Sequence, residues 1–244
     1  MSRLFGRFSN VLIVVSVLLW ATSVAFAVSQ SSQQEGLIVP AKQDNYVGKE
    51  TCVACHEGKD KSLAKTPHGH SVDVRTPASK GNLVCESCHG SGKAHAESGD
   101  KKDIKSFKVL TASAANATCM SCHEKTATHV NWSGSKHDVR KVSCVSCHSV
   151  HNPKSQTAQL KTVRSTETCV SCHKDQALKI RKSSHMPISE GKMECVSCHS
   201  PHGSTNVKML KVGNTVNESC VSCHAEKRGP FLWEHAPVSK SCVS

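Results

Sequence analysis

The sequence repeats one short unit of cysteine and histidine. Fourteen of its fifteen cysteines occur in C-x-x-C pairs, and each of the seven pairs is followed directly by histidine. Two thiols three residues apart lie on one side of a helical turn, and a histidine four residues after the first thiol points the same way. The thiols can form thioethers to the two vinyl groups of a haem while the imidazole reaches the iron. The repeat therefore predicts seven covalent haem c groups.

Each motif supplies two thioether cysteines and one proximal iron ligand. The predicted thioether cysteines are Cys52, Cys55, Cys85, Cys88, Cys119, Cys122, Cys144, Cys147, Cys169, Cys172, Cys195, Cys198, Cys220 and Cys223. The predicted proximal ligands are His56, His89, His123, His148, His173, His199 and His224.

Two other uses of paired cysteines fit this pattern less well. Tandem zinc sites would combine two C-x-x-C pairs each, but seven pairs is an odd number, and the histidine after every pair would be unexplained. A disulfide framework is the usual reason for many cysteines in an exported chain, yet it does not require the histidine. Haem attachment accounts for all three residues of the motif.

Nine histidines lie outside the motifs and are candidates for the second axial position. They are His68, His70, His95, His129, His137, His151, His185, His202 and His235. Two of them follow a motif histidine by three residues, in "CHSVHNP" and "CHSPHGS". Nine candidates for seven irons make bis-histidine ligation feasible throughout, so we expect six-coordinate iron. Methionine is the other possible axial ligand, and Met186 is the position to consider.

Short helices must position these motifs. Helix-start residues precede several of them, namely Asn116, Ser165 or Thr166, and Asn217. Aromatic residues make up only 4% of the chain, so side chains alone would build a small core. We expect the porphyrins to fill the interior. The predicted fold is mainly α with extensive coil and little or no sheet, with short helices around a haem chain.

Residues 1–27 have the pattern of a secretory signal peptide. Arg3 and Arg7 precede an apolar run that ends at Ala25-Phe26-Ala27, which is a small-x-small cleavage pattern. A polar linker over residues 28–45 and a multihaem cytochrome c region over residues 46–244 are predicted to follow. An uncleaved anchor is the alternative, although the seventeen apolar residues are short for a membrane span.

The basic charge fits a protein that binds haem propionates. The formal net charge is +12, and removal of Arg3 and Arg7 with the signal peptide leaves +10. Each oxidised bis-histidine haem contributes about −1, because two propionates outweigh the positive charge of ferric porphyrin. The basic residues are dispersed and no aromatic stacking set accompanies them, so no nucleic-acid partner is expected.

Several strings between the motifs carry a resemblance to a known family. They are "NWSGSKHD", "CVSCHSVH", "RKSSHMP", "CVSCHSPHGS" and "CVSCHAEKRGPFLWEHAPVSKSCVS". Over residues 45–244 the chain resembles the DmsE/MtrA family of periplasmic decahaem c-type cytochromes. The family has ten haem motifs, whereas seven are complete here. We expect "SCVS" at Cys242 to begin an eighth motif, and the chain to be a C-terminally truncated member.

The resemblance implies a wire of bis-histidine haems inside an outer-membrane β-barrel. Electrons would come from a quinol-oxidising or periplasmic donor cytochrome and pass to an extracellular cytochrome or terminal reductase. The expected location is the periplasm, in association with the outer membrane. By matching sequence context, the resemblance implies the distal ligands His68, His95, His137, His151, His185, His202 and His235. His70 and His129 are left as extra histidines.

The predicted function is electron transfer without substrate chemistry. A multihaem reductase of nitrite, hydroxylamine or sulfur oxyanions is the first alternative. Such an enzyme needs one iron with an open sixth position, often marked by C-x-x-C-K, but all seven motifs here end in histidine. A soluble periplasmic electron shuttle is the second alternative, and the sequence leaves it open.

Overall fold

Short helices carry the cysteine motifs. The computed structural model describes residues 45–155, 157–182, 186–233 and 235–243. The α-helices within these ranges are α1 (Lys49–Val53), α2 (Lys59–Ala64), α3 (Glu86–His89), α4 (Lys93–Ser98), α5 (Ala112–His123), α6 (Lys136–Val139), α7 (Cys144–Cys147), α8 (Ser165–Val170), α9 (Lys174–Lys179), α10 (Cys195–Cys198), α11 (Val216–Val221) and α12 (Ala236–Lys240). Short 3₁₀ helices cover Pro67–Gly69, Pro77–Leu83, Lys101–Asp103, Val207–Met209 and Ala225–Lys227.

The motifs alternate between two helical settings. The first, third, fifth and seventh motifs begin inside helices that start before the first cysteine, namely α1, α5, α8 and α11. The second, fourth and sixth motifs instead form single turns of four residues, namely α3, α7 and α10. The α5–α7 and α8–α10 pairs are in contact, so consecutive motifs pack together as modules of two.

Two of the predicted helix starts are wrong. Helix α5 begins after Thr111, whose side chain accepts a hydrogen bond from the backbone of Ala114 (3.3 Å). Helix α11 begins after Thr215, which forms a capping box with Glu218. Asn116 and Asn217 therefore lie inside these helices, and their side chains bond to later segments of the chain.

Hydrogen-bonded loops replace a sheet in the described ranges. Two isolated antiparallel bridges occur there, between His148 and Leu160 and between His199 and Leu210. In each case the returning chain donates a further backbone hydrogen bond to the second cysteine of the motif, at 2.9 Å in the fourth and 2.8 Å in the sixth. No strand is present among the described residues, and the predicted mainly α fold with extensive coil is confirmed.

The polypeptide has a very small apolar core of its own. Among the described residues, the buried hydrophobic side chains are Leu63, Ala115, Trp132 and Leu210. The buried polar residues outnumber them and are Thr66, Glu86, Asn116, Ser135, Ser165 and Thr166. Apolar burial is the main driving force of folding, so these four side chains are far too few for a chain of this length. The composition-based expectation of a porphyrin-filled interior remains the physical explanation.

The described helices are short. No helix in the described ranges is both long enough and apolar enough to cross a bilayer. The predicted signal peptide, residues 1–27, and all but the last residue of the predicted linker lie outside the described residues.

Candidate haem-binding sites

The first cysteines of consecutive motifs approach one another in pairs. Burial and then the neighbouring Cys85 thiol raise the pKa of Cys52 to about 11. The thiols of Cys119 and Cys144 interact more strongly, and this contact together with burial raises the pKa of Cys119. The full set of interacting pairs is Cys52–Cys85, Cys119–Cys144, Cys169–Cys195 and Cys220–Cys242. The first cysteines of two predicted haem motifs thus lie side by side in each module.

Asparagine side chains join the two halves of two modules. The buried Asn116 accepts a hydrogen bond from the backbone N–H of Cys144 (2.8 Å) and donates one to a nearby backbone carbonyl (3.0 Å). Asn217 makes the same contacts, accepting from the N–H of Cys242 (2.7 Å) and donating to a carbonyl at 3.3 Å. Cys242 therefore has the same position relative to the seventh motif as Cys144 has relative to the third motif.

Carboxylates make the equivalent connections in the other two modules. Glu86, which lies between the cysteines of the second motif and is 4% exposed, accepts backbone hydrogen bonds from Val47 (3.1 Å), Gly48 (3.0 Å) and Gly92 (2.7 Å). Val47 and Gly48 lie just before α1, which carries the first motif. Two charge-assisted hydrogen bonds, from Val47 and Gly48, therefore fix the first two motifs relative to each other, and the third closes the loop after the second motif.

Glu194 has this role in the third module. It precedes Cys195 and accepts hydrogen bonds from the backbone N–H (3.0 Å) and the hydroxyl of Ser165 at the start of α8. Arg164 donates to the same carboxylate at 3.3 Å. The Ser165 hydrogen bonds, and then Arg164, lower the pKa of Glu194, so the carboxylate stays ionised and keeps α8 and α10 together.

The structure places five motif histidines opposite non-motif histidines, three pairs with nearly parallel ring planes and two with steeply inclined planes. The ring-centre distances are 6.1 Å for His56–His95, 6.0 Å for His123–His68, 6.4 Å for His89–His151, 6.2 Å for His173–His137 and 6.0 Å for His148–His202. Each pair combines one predicted proximal ligand with one predicted distal ligand.

These separations fit a metal held between two imidazoles. A metal about 2.0 Å from each of two ring nitrogens, with each ring centre about 1.1 Å further on, separates the ring centres by about 6.2 Å. All five observed distances fall within 0.2 Å of this value. Imidazoles in direct contact lie closer, as the tilted rings of His129 and His202 do at 4.3 Å. The residues present therefore fit bis-histidine haem.

Backbone carbonyls orient several of the imidazoles. The Nδ1 contacts are His89 to Lys105 (2.8 Å), His95 to Asp100 (2.9 Å), His137 to Pro201 (2.7 Å), His148 to Ala158 (2.7 Å) and His199 to Lys208 (2.9 Å). A carbonyl can only accept, so Nδ1 carries the proton in each ring. The lone pair is then on Nε2, which is the atom free to bind iron.

Burial keeps the distal imidazoles in their metal-binding form. Desolvation lowers the pKa of His202 to about 4, and it also lowers the pKa of His68 and His151. A neutral imidazole has the lone pair that a metal requires, whereas a protonated one does not. These three rings are therefore ready to bind metal at neutral pH without first losing a proton.

The remaining predicted ligands are not paired in the described part of the chain. His185 lies outside the described residues. His235 is exposed at the start of α12, and it is not stacked on another ring there. His199 and His224 likewise have no histidine ring partner among the described residues. The predicted axial roles of these four residues stay predictions.

The residues that hold the sites together have roles that the sequence does not predict. Glu86, Asn116 and Glu194 carry no haem chemistry, and nothing in the motif pattern marks them. Their positions offer one usable signal, because each stands within three residues of a first cysteine. The sequence also predicts no role for His129, although its ring contacts those of the candidate ligands His123 and His202.

Comparison with known proteins matches the chain to multihaem cytochromes. Two family models match, one described as a doubled CXXCH motif over residues 185–229 and one as cytochrome c-type protein NrfB-like over residues 85–172. The multiheme cytochrome MtrA of Shewanella baltica is 41% identical over 198 residues, or 80% of this chain. The chain spans 58% of the length of that relative. The cytochrome c-type protein NrfB of Escherichia coli is 28% identical over 67% of this chain and 85% of its own length.

Proposed function

We propose that the chain is a member of the MtrA family of multihaem c-type cytochromes and that it transfers electrons along a row of covalently attached haems. The observation that carries the proposal is the set of five histidine pairs at 6.0–6.4 Å. When bound, each haem supplies a one-electron iron couple. The chain's own residues attach, orient and separate these groups.

The same pairs favour an electron carrier over a reductase. A reductase must leave one axial position open for its substrate, whereas an imidazole stands on both sides of each of the five sites. Carbonyl acceptors on Nδ1 fix several of these imidazoles in place, so the ligands would change little when the iron changes oxidation state. Small reorganisation favours fast electron exchange.

The proposal includes the partners and the location that the family resemblance implies. In the proposed role the chain is exported to the periplasm and receives electrons from a quinol-oxidising or periplasmic cytochrome. It passes them, within an outer-membrane β-barrel, to an extracellular cytochrome or terminal reductase. The predicted signal peptide and the 41% identity to MtrA support this assignment.

The proposal extends to Cys242 as an attachment thiol. Its contact with Cys220 and its hydrogen bond to Asn217 repeat the setting of Cys144 beside Asn116. This equivalence supports the prediction that Cys242 is the first cysteine of a further haem motif. A chain lengthened by the remainder of such a motif should gain one haem by intact mass, and a Cys242→Ala version of it should not.

The test of the main proposal compares two matched histidine variants. The chain, matured where haem ligation occurs, should carry seven haems by intact mass, and at least five should be low-spin with weak CO binding. His95→Ala should create one high-spin haem because it removes the partner of His56. His70→Ala, which removes an exposed non-motif histidine, should create none. Metal without porphyrin would favour zinc, and nitrite or hydroxylamine turnover at a high-spin iron would favour a reductase.

A freely moving periplasmic carrier is the second candidate. The chain covers 85% of the Escherichia coli NrfB sequence, so a polypeptide of this length is sufficient for a c-type cytochrome. Co-purification from cells that also make an outer-membrane β-barrel separates the two candidates. Retention with the barrel supports the transmembrane wire, and recovery only as an unattached monomer supports the free carrier.

A further inference from the structure

His129 lies between axial-ligand candidates of two different haem sites. Its ring centre is 5.3 Å from that of His123, the motif histidine of the third site. It is 4.3 Å from that of His202, which pairs with the motif histidine of the fourth site. His129 is thus the only described histidine that contacts one candidate ligand from each of these two sites.

The distances exclude His129 as an axial ligand in this arrangement. A metal between two imidazoles requires ring centres about 6.2 Å apart, and both His129 contacts are clearly shorter. His68 and His148 occupy the ligand positions at 6.0 Å from His123 and His202, respectively. His129 therefore packs against the ligands and does not compete with them.

The chain fixes the His129 ring in its position. The hydroxyls of Thr126 and Thr128 lie 2.7 Å and 2.9 Å from its Nδ1 atom. Thr126 also donates a hydrogen bond to the carbonyl of His123 at 2.8 Å. The turn that holds His129 is therefore tied to the end of α5, where the third motif lies.

His202 is held from a second direction as well. The buried Trp132 meets its ring edge to face, with ring centres 6.3 Å apart and planes at 61°. The backbone of Thr128 also interacts with His202. The segment 126–132 thus sets the ring plane of a residue that lies about seventy positions further along the chain.

We propose that His129 is a positioning residue that couples the third and fourth haem sites by fixing the ring planes of His123 and His202. This inference rests on the proposed electron-transfer function. It makes a continuous series of imidazoles, in the order His68, His123, His129, His202, His148. The two sites are then connected by imidazole rings in van der Waals contact, and electrons tunnel more readily through such contacts than through empty space.

The experiment uses the full haem-loaded chain and three variants. His129→Leu fills the space without an aromatic ring, His129→Phe keeps a ring, and His70→Leu is the matched control at the other extra histidine. Haem content is measured by intact mass and ligand geometry by EPR of the ferric low-spin haems, which reports the relative orientation of axial imidazole planes. Electron exchange between sites is followed by rapid reduction.

We expect His129→Leu to keep the full haem content, to change the low-spin EPR signals of two haems, and to slow electron exchange by about 10-fold. His129→Phe keeps the aromatic contact but loses the Nδ1 hydrogen bonds, so it should restore electron exchange while the two EPR signals stay changed; His70→Leu should alter neither property. If His129→Leu does not mature, Thr126→Val with Thr128→Val, which frees the Nδ1 atom but keeps the ring, should still change the two EPR signals.

Two results would overturn the inference. Unchanged EPR signals and exchange rates in the His129→Leu or double-threonine protein would show that the contact has no role. A new high-spin haem in His129→Leu would show that His129 is itself a ligand. In both cases the unchanged chain still shows its bis-histidine haems, whereas their absence from that chain would instead refute the proposed function.

Discussion

Gly203 is the position where one methyl group should disturb two haem sites at once. It follows His202 directly, its φ is +106°, and a Cβ atom built there would lie 2.1 Å from the carbonyl oxygen of Asn131. The same contact region contains the hydrogen bond from His137 Nδ1 to the carbonyl of Pro201 (2.7 Å). Gly203→Ala must therefore push the segment around residue 131 away from the loop at 200–203.

The loss of folding stability in Gly203→Ala has three parts. A non-glycine residue in this backbone region costs about 1–3 kcal/mol, and forcing backbone atoms apart in a packed contact costs about 1–3 kcal/mol more. Loss of the His137–Pro201 hydrogen bond adds about 1 kcal/mol. We expect a total loss of about 3–7 kcal/mol, a large part of the roughly 5–15 kcal/mol of a typical domain. For a chain of this size it corresponds to a fall in Tm of about 6 °C or more.

The assay combines thermal unfolding with the spin state of the iron. His202 pairs with His148, and His137 pairs with His173, so displacement of this contact should produce high-spin signal at the fourth and fifth sites. Gly134→Ala is the matched control, because Gly134 also has a positive φ (+76°) but open space around its Cβ position. That variant should cost only about 1 kcal/mol and leave both sites low-spin.

Equal Tm values and equal spin states in the two alanine variants would refute the reasoning. That result would mean that residues 131 and 203 do not approach closely in the folded protein. A loss of stability in Gly203→Ala with all haems low-spin would refute only the link between this contact and the two ligands.

Three further predictions concern the module contacts and the buried imidazoles. Glu86→Gln should lower the free energy of unfolding by about 1–3 kcal/mol, because the new amide N–H would face a backbone N–H donor. The control Glu50→Gln, at an exposed site, should change the free energy of unfolding by less than about 0.5 kcal/mol. Asn116→Ala should lower the free energy of unfolding, measured with denaturant, by about 1–3 kcal/mol, because it removes the hydrogen bonds to the segment at residues 142–144. An equal loss in Asn152→Ala, at an exposed position, would contradict this prediction. Burial lowers the pKa of His202 from 6.5 to about 4, so between these values the unfolded chain binds more protons than the folded chain. The contribution of His202 to the free energy of unfolding should be complete above pH 6.5 and fall as the pH drops towards 4. A free energy of unfolding that does not change over that range would argue against a buried neutral ring.

The sequence alone determined the cofactor chemistry and the class of fold. The repeated C-x-x-C-H unit indicates haem c through local spacing within one helical turn, and local spacing can be read without knowing the tertiary structure. The scarcity of aromatic residues likewise indicated that side chains could not form the core, and the described part of the chain buries four apolar side chains. Helix starts were predicted less well: Asn116 has the residue type of a cap but serves as a bridge between motifs.

Only the tertiary structure decided which histidines face each other. His151 follows His148 by three residues but pairs with His89, and His202 follows His199 by three residues but pairs with His148. The physical reason is that the backbone turns from helical to extended at His148 and His199, so the next histidine is carried away from its own motif. The ring that completes each site comes from a distant segment, brought there by contacts such as Gly203 against Asn131. Those contacts depend on the whole fold, and no local spacing encodes them.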